Sequence, residues 1–267
     1  MRTITSATAG FLATRGTFAQ ERVPQVFETA LPGEDSTPDW LYTPTEDPDP
    51  NRTYWLVVGA HGVGETGRGA CGIANLVQYF DDVIVLGPSF TQPPADPAMP
   101  RPTAMPKVLY QMSGPASEAQ LFYQIARISK WWRLQPRMIL HGFSAGAQFV
   151  HRFAFKHPQL VAGVAAHSAG TWAALNGDDR IAPAAHEIPF ALSCGEADTG
   201  KAWPGARLPR LEGCRTFAHD LEELGFEVSL RTWPRITHQL TSMACAQTQE
   251  LVENVRLRAE GMQNLAS

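Results

Sequence analysis

Nowhere in the 267 residues does an apolar run reach the roughly 20 residues that a membrane-spanning helix needs. A helical membrane protein is excluded on that ground. Cysteine is scarce as well. The four, Cys71, Cys194, Cys214 and Cys245, stand far apart and form no CxxC pair. Zinc ribbons and dithiol redox motifs need that spacing, so no metal site is expected. The thiols are expected to be buried and reduced, with one or two disulfides as the alternative in an exported protein. Basic tracts are missing too: 22 Lys and Arg are scattered among 26 Asp and Glu, for a net charge of −4. Neither nucleic acid nor an anionic membrane surface is an expected partner of such a chain. There is no internal repeat and no low-complexity block. The stretch from Met1 to Gln20 lacks a continuous apolar segment, because Arg15 and Gly16 interrupt it. It reads as part of a loosely ordered extension over residues 1–22. A cytoplasmic location is the expectation, with export the alternative because "TFAQ" loosely resembles a signal cleavage site.

What is present is 44% hydrophobic and 18% charged, the balance of a globular enzyme. Short apolar runs alternate with helical patterns, so the expectation is an α/β fold of about eight mostly parallel strands. Residues 23–267 read as one domain with a short insert around 171–187. Val23 to Ala30 and Asp39 to Thr43 are candidates for an opening antiparallel pair. "YWLVVGA" at Tyr54 to Ala60 reads as a buried strand, and Val83 to Leu86 as the next. Met99 to Pro115 is a proline-rich loop. Ser117 and Gln120 have the spacing of a capping box. Leu121, Ile125, Ile128 and Trp132 keep helical period behind it, up to Pro136. Strands are expected at Met138 to His141, Val161 to Ala166, Pro189 to Ser193 and Glu227 to Trp233. Helices are expected at Ala147 to His157, Cys214 to Leu224 and Gln239 to Arg258.

Gly142-Phe143-Ser144-Ala145-Gly146 is a GxSxG motif with an apolar strand running into it and an amphipathic helix running out. A serine there sits in a strained turn at the carboxyl edge of the sheet. The glycines remove side chains that would clash where strand and helix approach. The free N–H groups of the helix N-terminus suit a developing oxyanion. Ser144 is therefore the candidate nucleophile. Ser168, in the near-copy "AHSAG", is the alternative, although no clear helix follows it.

A serine hydroxyl needs an imidazole to accept its proton. His238, between the last strand and the closing helix, is the candidate base; His219 lies in a charged helical run and reads as a surface residue. The candidate acid is Asp198 in "CGEAD", after the penultimate strand, with Glu196, Asp178 and Asp179 as alternatives. The run "AHGVGETGRG" after Tyr54 to Ala60 admits three readings. It formally matches GxGxxG, but no acidic ribose partner follows the next strand. It nearly matches a P-loop, but Arg68 and Gly69 replace the expected Lys and Ser or Thr. The third reading is an oxyanion loop in which the Val63 and Ala145 N–H groups meet the substrate oxygen. A plain structural turn is the remaining option.

With these pieces placed, the chain resembles the α/β-hydrolase superfamily from about Tyr54 onward, through His61-Gly62, Gly142 to Gly146, Gly195 to Asp198, and His238. Within it the chain is loosely similar to esterases related to polyhydroxybutyrate depolymerases and to feruloyl and acetylxylan esterases. The resemblance implies serine-dependent hydrolysis of carboxylic esters through an acyl-enzyme, with a small-molecule ester as substrate and no cofactor. A peptidase or amidase on the same fold and a catalytically lapsed binding domain are the alternatives. Trp172 and Trp203 are candidates to line an apolar substrate pocket, with ordinary packing as the other reading of each.

Overall fold

A computed structural model describes residues 25–27, 39–45, 47–68, 80–90, 110–175, 180–202 and 206–266. In chain order its elements are β1 (Gln25–Phe27), β2 (Asp39–Tyr42), β3 (Trp55–Ala60), β4 (Val83–Gly87), α1 (Pro115–Ile128), β5 (Met138–Phe143), α2 (Ala145–Lys156), β6 (Val161–His167), β7 (Phe190–Gly195), α3 (Arg210–Glu223), β8 (Val228–Trp233) and α4 (Ser242–Ala266). The eight strands form one sheet in the order β1-β2-β4-β3-β5-β6-β7-β8. β1 and β2 pair antiparallel, and β2 is antiparallel to β4. All other neighbours are parallel.

The apolar strand runs have a simple cause. Successive residues of a strand point to opposite faces, so a strand covered on both faces needs apolar residues at nearly every position. β3, β4, β6 and β7 are buried along their whole length. Leu56, Val58, Leu86, Leu140, Val164 and Leu192 face one way, into a core shared with α1, α2 and α3. Val57, Val85, Ile139, Ala165 and Ala191 face the other way, against Leu251, Val252 and Val255 of α4. β5 and β6 lie in the middle of this sandwich, so what stands at their carboxyl ends is held from both sides.

Several boundaries differ from the sequence expectation; α3, expected from Cys214, begins at Arg210. The capping box at Ser117 does not form, because α1 starts earlier, with Gly114 as N-cap and Pro115 in the first turn. Proline's fixed φ suits that position, where its missing N–H has no partner to lose. Ser117 is buried inside the helix and donates to Gly114 O at 2.9 Å, while Gln120 donates to Ser89 O at 3.0 Å. α1 also ends at Ile128, well before Pro136; Trp132 leaves the helix and packs edge-on against Tyr54 at 4.8 Å between ring centres. α4 begins at Ser242 rather than Gln239. Thr241 Oγ1 accepts the Ala244 N–H at 3.2 Å, a capping bond that starts the helix there and leaves 237–241 as loop.

Candidate active site

Ser144 follows β5 directly and precedes α2 directly, with φ 56° and ψ −114°. A non-glycine residue in that region is strained and persists only where its surroundings hold it. The two flanking glycines show why. A Cβ on Gly142 would lie 2.3 Å from the Gly146 carbonyl carbon, and one on Gly146 would lie 1.9 Å from Ala60 O. No side chain fits at either position, so the motif is a packing requirement of strand, helix and β3 meeting at one point. The Ser144 N–H is tied to His167 O of β6 at 2.9 Å.

His238 reaches this turn from the loop after β8. Its Nε2 lies 2.9 Å from Ser144 Oγ, and its Nδ1 lies 2.8 Å from Asp198 Oδ2. A carboxylate only accepts, so Nδ1 carries the proton and Nε2 is the acceptor for the Ser144 hydroxyl. Asp198 is 3% exposed, at the turn after β7. That turn is stitched to the histidine loop by backbone bonds: Glu196 N–H donates to Trp233 O, and Ala197 N–H to Ile236 O, each at 2.9 Å. Gly195 allows the approach, since a Cβ there would lie 2.1 Å from Ile236 O. The Phe143 ring packs against His238 at 4.9 Å between centres.

The alternatives lie elsewhere. Glu196 is exposed and accepts from Thr232 Oγ1 at 2.9 Å. Ser168 also has a positive φ, but it is buried and its hydroxyl meets Cys194 Sγ at 3.6 Å, not an imidazole. His219 is exposed on α3. Asp178, Asp179, Trp203 and Cys71 lie outside the described residues. Cys194 and Cys214 are buried and free, with both thiols pushed up by burial, and Cys245 is free and partly buried. Trp172 is not brought to Ser144. Its ring stacks on His151 of α2 at 5.3 Å and on Phe217 of α3 at 4.8 Å. His151 is six residues beyond Ala145, about 9 Å along the helix.

The glycine-rich loop after β3 has its own fastenings. The Gly62 N–H is taken by Glu65 Oε2 at 3.0 Å, so a carboxylate sits where a phosphate would need that amide. His61 is buried. Phe90 N–H donates to its Nε2 at 3.0 Å, which leaves Nδ1 as donor to Gly62 O at 2.7 Å. Burial holds this imidazole below its ordinary range, in keeping with that neutral tautomer. Tyr110 OH donates to His61 O at 2.8 Å. Gly67 lies against the end of β4, where a Cβ would be 1.9 Å from Gly87 O. A Cβ on Gly146 would meet His61 O at 2.8 Å, so this loop borders the start of α2. Among the described residues, neither the Val63 nor the Ala145 N–H has a hydrogen-bond partner. No group of three or more His, Cys, Asp and Glu is placed to hold a metal among them, and no helix among them is long and apolar enough to cross a membrane.

No protein-family model matches the chain, and no curated protein matches it in sequence. Solved structures do match. A thermostable esterase is 19% identical with a TM-score of 0.60, over 87% of this chain and 62% of that one, so this chain spans less than two thirds of its length. Poly(aspartic acid) hydrolase-1 from Sphingomonas sp. KT-1 is 23% identical with a TM-score of 0.58, over 86% of this chain and 97% of that one. A poly(3-hydroxybutyrate) depolymerase from Bordetella parapertussis is 20% identical with a TM-score of 0.55, over 79% and 83%. Together with the sheet order and the serine at the end of β5, these likenesses show that the chain has the α/β-hydrolase fold.

Proposed function

We propose that this protein hydrolyses small carboxylic esters through an acyl-enzyme on Ser144. The observation that carries the reading is the unbroken hydrogen-bonded series from Ser144 Oγ through His238 to buried Asp198. His238 Nε2 takes the hydroxyl proton as Oγ adds to the ester carbonyl. The carbon–oxygen bond to the alcohol then breaks, and the imidazolium returns that proton to the leaving alkoxide. Water repeats the sequence on the acyl-enzyme, releasing the carboxylic acid and restoring Ser144. Asp198 holds the imidazole tautomer and stabilises the imidazolium. The Val63 and Ala145 amides are the proposed donors to the oxyanion. The reaction as written needs no metal and no organic cofactor. Esterases and a poly(3-hydroxybutyrate) depolymerase among the like folds support ester chemistry. A second reading, amide hydrolysis by the same groups, is favoured by the likeness to a poly(aspartic acid) hydrolase.

A fluorophosphonate separates these proposals from a lapsed binding domain. Labelling is expected at Ser144, and the Ser144→Ala variant should fold, resist labelling and lose several powers of ten in turnover. Near-native turnover in that variant refutes the assignment. In a structure of the adduct, the phosphoryl oxygen should lie about 3 Å from the Val63 and Ala145 nitrogens; a position away from both removes them as oxyanion donors. A p-nitrophenyl ester panel run beside peptide substrates decides between ester and amide.

A further inference from the structure

We infer that Arg210, the first residue of α3, is a positioning residue that holds the plane of the Asp198 carboxylate with one oxygen turned to His238. The inference rests on the proposed role of the Ser144–His238–Asp198 series. The two carboxylate oxygens have different neighbours. Oδ2 accepts from His238 Nδ1 at 2.8 Å, with the Cys194 thiol at 3.9 Å. Oδ1 faces Arg210 Nη1 at 3.5 Å. The same Nη1 donates to Gly200 O at 3.3 Å, the Arg210 backbone N–H donates to that oxygen at 3.2 Å, and the Leu211 N–H donates to Asp198 O at 3.2 Å. The first turn of α3 therefore grips the acid's turn through backbone and side chain together.

Three physical points follow. A carboxylate that is 3% exposed has lost most of its hydration, and a cation beside it offsets that loss. At 3.5 Å the contact is at the outer limit of a hydrogen bond, so the guanidinium acts on Oδ1 mainly through its charge. Its geometry comes from Gly200 O, which fixes the planar group so that the charge stays on one side of the carboxylate. Without it the Asp198 carboxylate is free to tilt about its last torsion, and the imidazole loses a partner held in line with Nδ1. Among the described residues, the other titratable groups near the pair are Cys194 of β7, Cys214 of α3 and Glu196 of the same turn. Both thiols are held protonated by burial, that of Cys194 pushed up to about 11, and Glu196 is exposed. None of them supplies a cation. Nothing in the sequence marks Arg210, since arginine at the start of a helix carries no pattern of its own.

The test reads a kcat-against-KM split and a partial rescue that loss of packing alone does not give. In the full chain, Arg210→Met should lower kcat roughly 10- to 100-fold with KM little changed, as expected when a reacting group is misplaced. Arg210→Lys should recover part of kcat, because the charge is kept, and only part, because an ammonium does not reproduce the planar grip. Unchanged kcat in Arg210→Met overturns the inference. So does a loss of kcat that tracks unfolding by urea titration, or one that Arg210→Lys does not relieve. If the Met variant does not fold, the Lys variant decides: reduced kcat at unchanged KM supports the inference, and full kcat overturns it. Ser144→Ala is measured in parallel. Activity retained there defeats the underlying reading, whatever Arg210 does.

Discussion

Mild acid should destabilise this protein before its paired carboxylates titrate, because histidines are buried uncharged between the sheet and its helices. His141 of β5 and His167 of β6 share one hydroxyl: Thr248 Oγ1 lies 3.0 Å from His141 Nδ1 and 2.9 Å from His167 Nε2. The rings are 5.3 Å apart between centres, and His167 Nδ1 also meets Ser193 Oγ at 2.7 Å. Burial lowers His141 to about 4, and it takes His167 and His151 well below their ordinary range. In the unfolded chain each protonates near pH 6.5. Above that pH both states are neutral and nothing is lost. Between about 6.5 and 4 the unfolded chain takes up a proton that folded His141 refuses, so stability falls as pH drops. His141 alone accounts for about 1.4 kcal/mol per pH unit, or roughly 3 kcal/mol across the window. That is a large part of the 5–15 kcal/mol that holds a typical domain together. His151 and His167 add in the same direction. Paired carboxylates act lower: Glu227 is held below the ordinary carboxylate range by its hydrogen bond from Arg258. The assay is urea unfolding followed by tryptophan fluorescence at several values between pH 7.5 and 5. His141→Gln keeps a hydrogen-bonding group opposite Thr248 and removes the titration, so its stability should fall less steeply by up to about 1.4 kcal/mol per unit. A wild-type urea midpoint that does not move over this range refutes the reasoning, as does a variant with the wild-type slope.

Other outcomes follow from the site's geometry. Gly146→Ala places a methyl 1.9 Å from Ala60 O, a backbone atom that cannot step aside, so α2 must shift away from β3. A loss of about 1–3 kcal/mol or more by urea titration, with a fall in turnover, is expected; full activity and stability would show that the crossing is looser than described. Asp198→Asn should keep the fold and cut kcat by about four powers of ten, because an amide favours the wrong imidazole tautomer. Retained turnover there, measured with a p-nitrophenyl ester, would move the acid to another residue.

Much of the site is legible in the sequence because its constraints are local. The glycines of Gly142 to Gly146 are needed wherever a strand turns into a helix against a third strand, and that need appears as a short motif. The two-face burial of β3 to β7 appears as continuous apolar runs, and the expectation of about eight strands meets a sheet of eight. Helix starts were less legible. Ser117 and Gln120 have capping chemistry, yet both side chains are drawn to other partners, Gly114 O and Ser89 O.

The sequence by itself determined the strand–turn–helix around Ser144 and the order in which serine, acid and histidine follow along the chain. The first depends on steric rules that act over a few residues, and the second is the order that the resemblance to α/β-hydrolases implies. Only the tertiary structure decided which groups meet. Ser144 and His238 are 94 positions apart, and they come together because β5 and β8 run parallel in one sheet and Thr241 starts α4 just beyond the histidine. In the sequence Asp198 is the candidate acid and Glu196 its near alternative. The turn after β7 buries one and exposes the other, and only the buried one faces the imidazole. Trp172 was open to a pocket or to packing, and its stacking between His151 and Phe217 depends on α2 and α3 lying side by side. The pairing of Arg210 with Asp198, and of His141 with His167 across Thr248, depends likewise on distances between elements, which no spacing along the chain records.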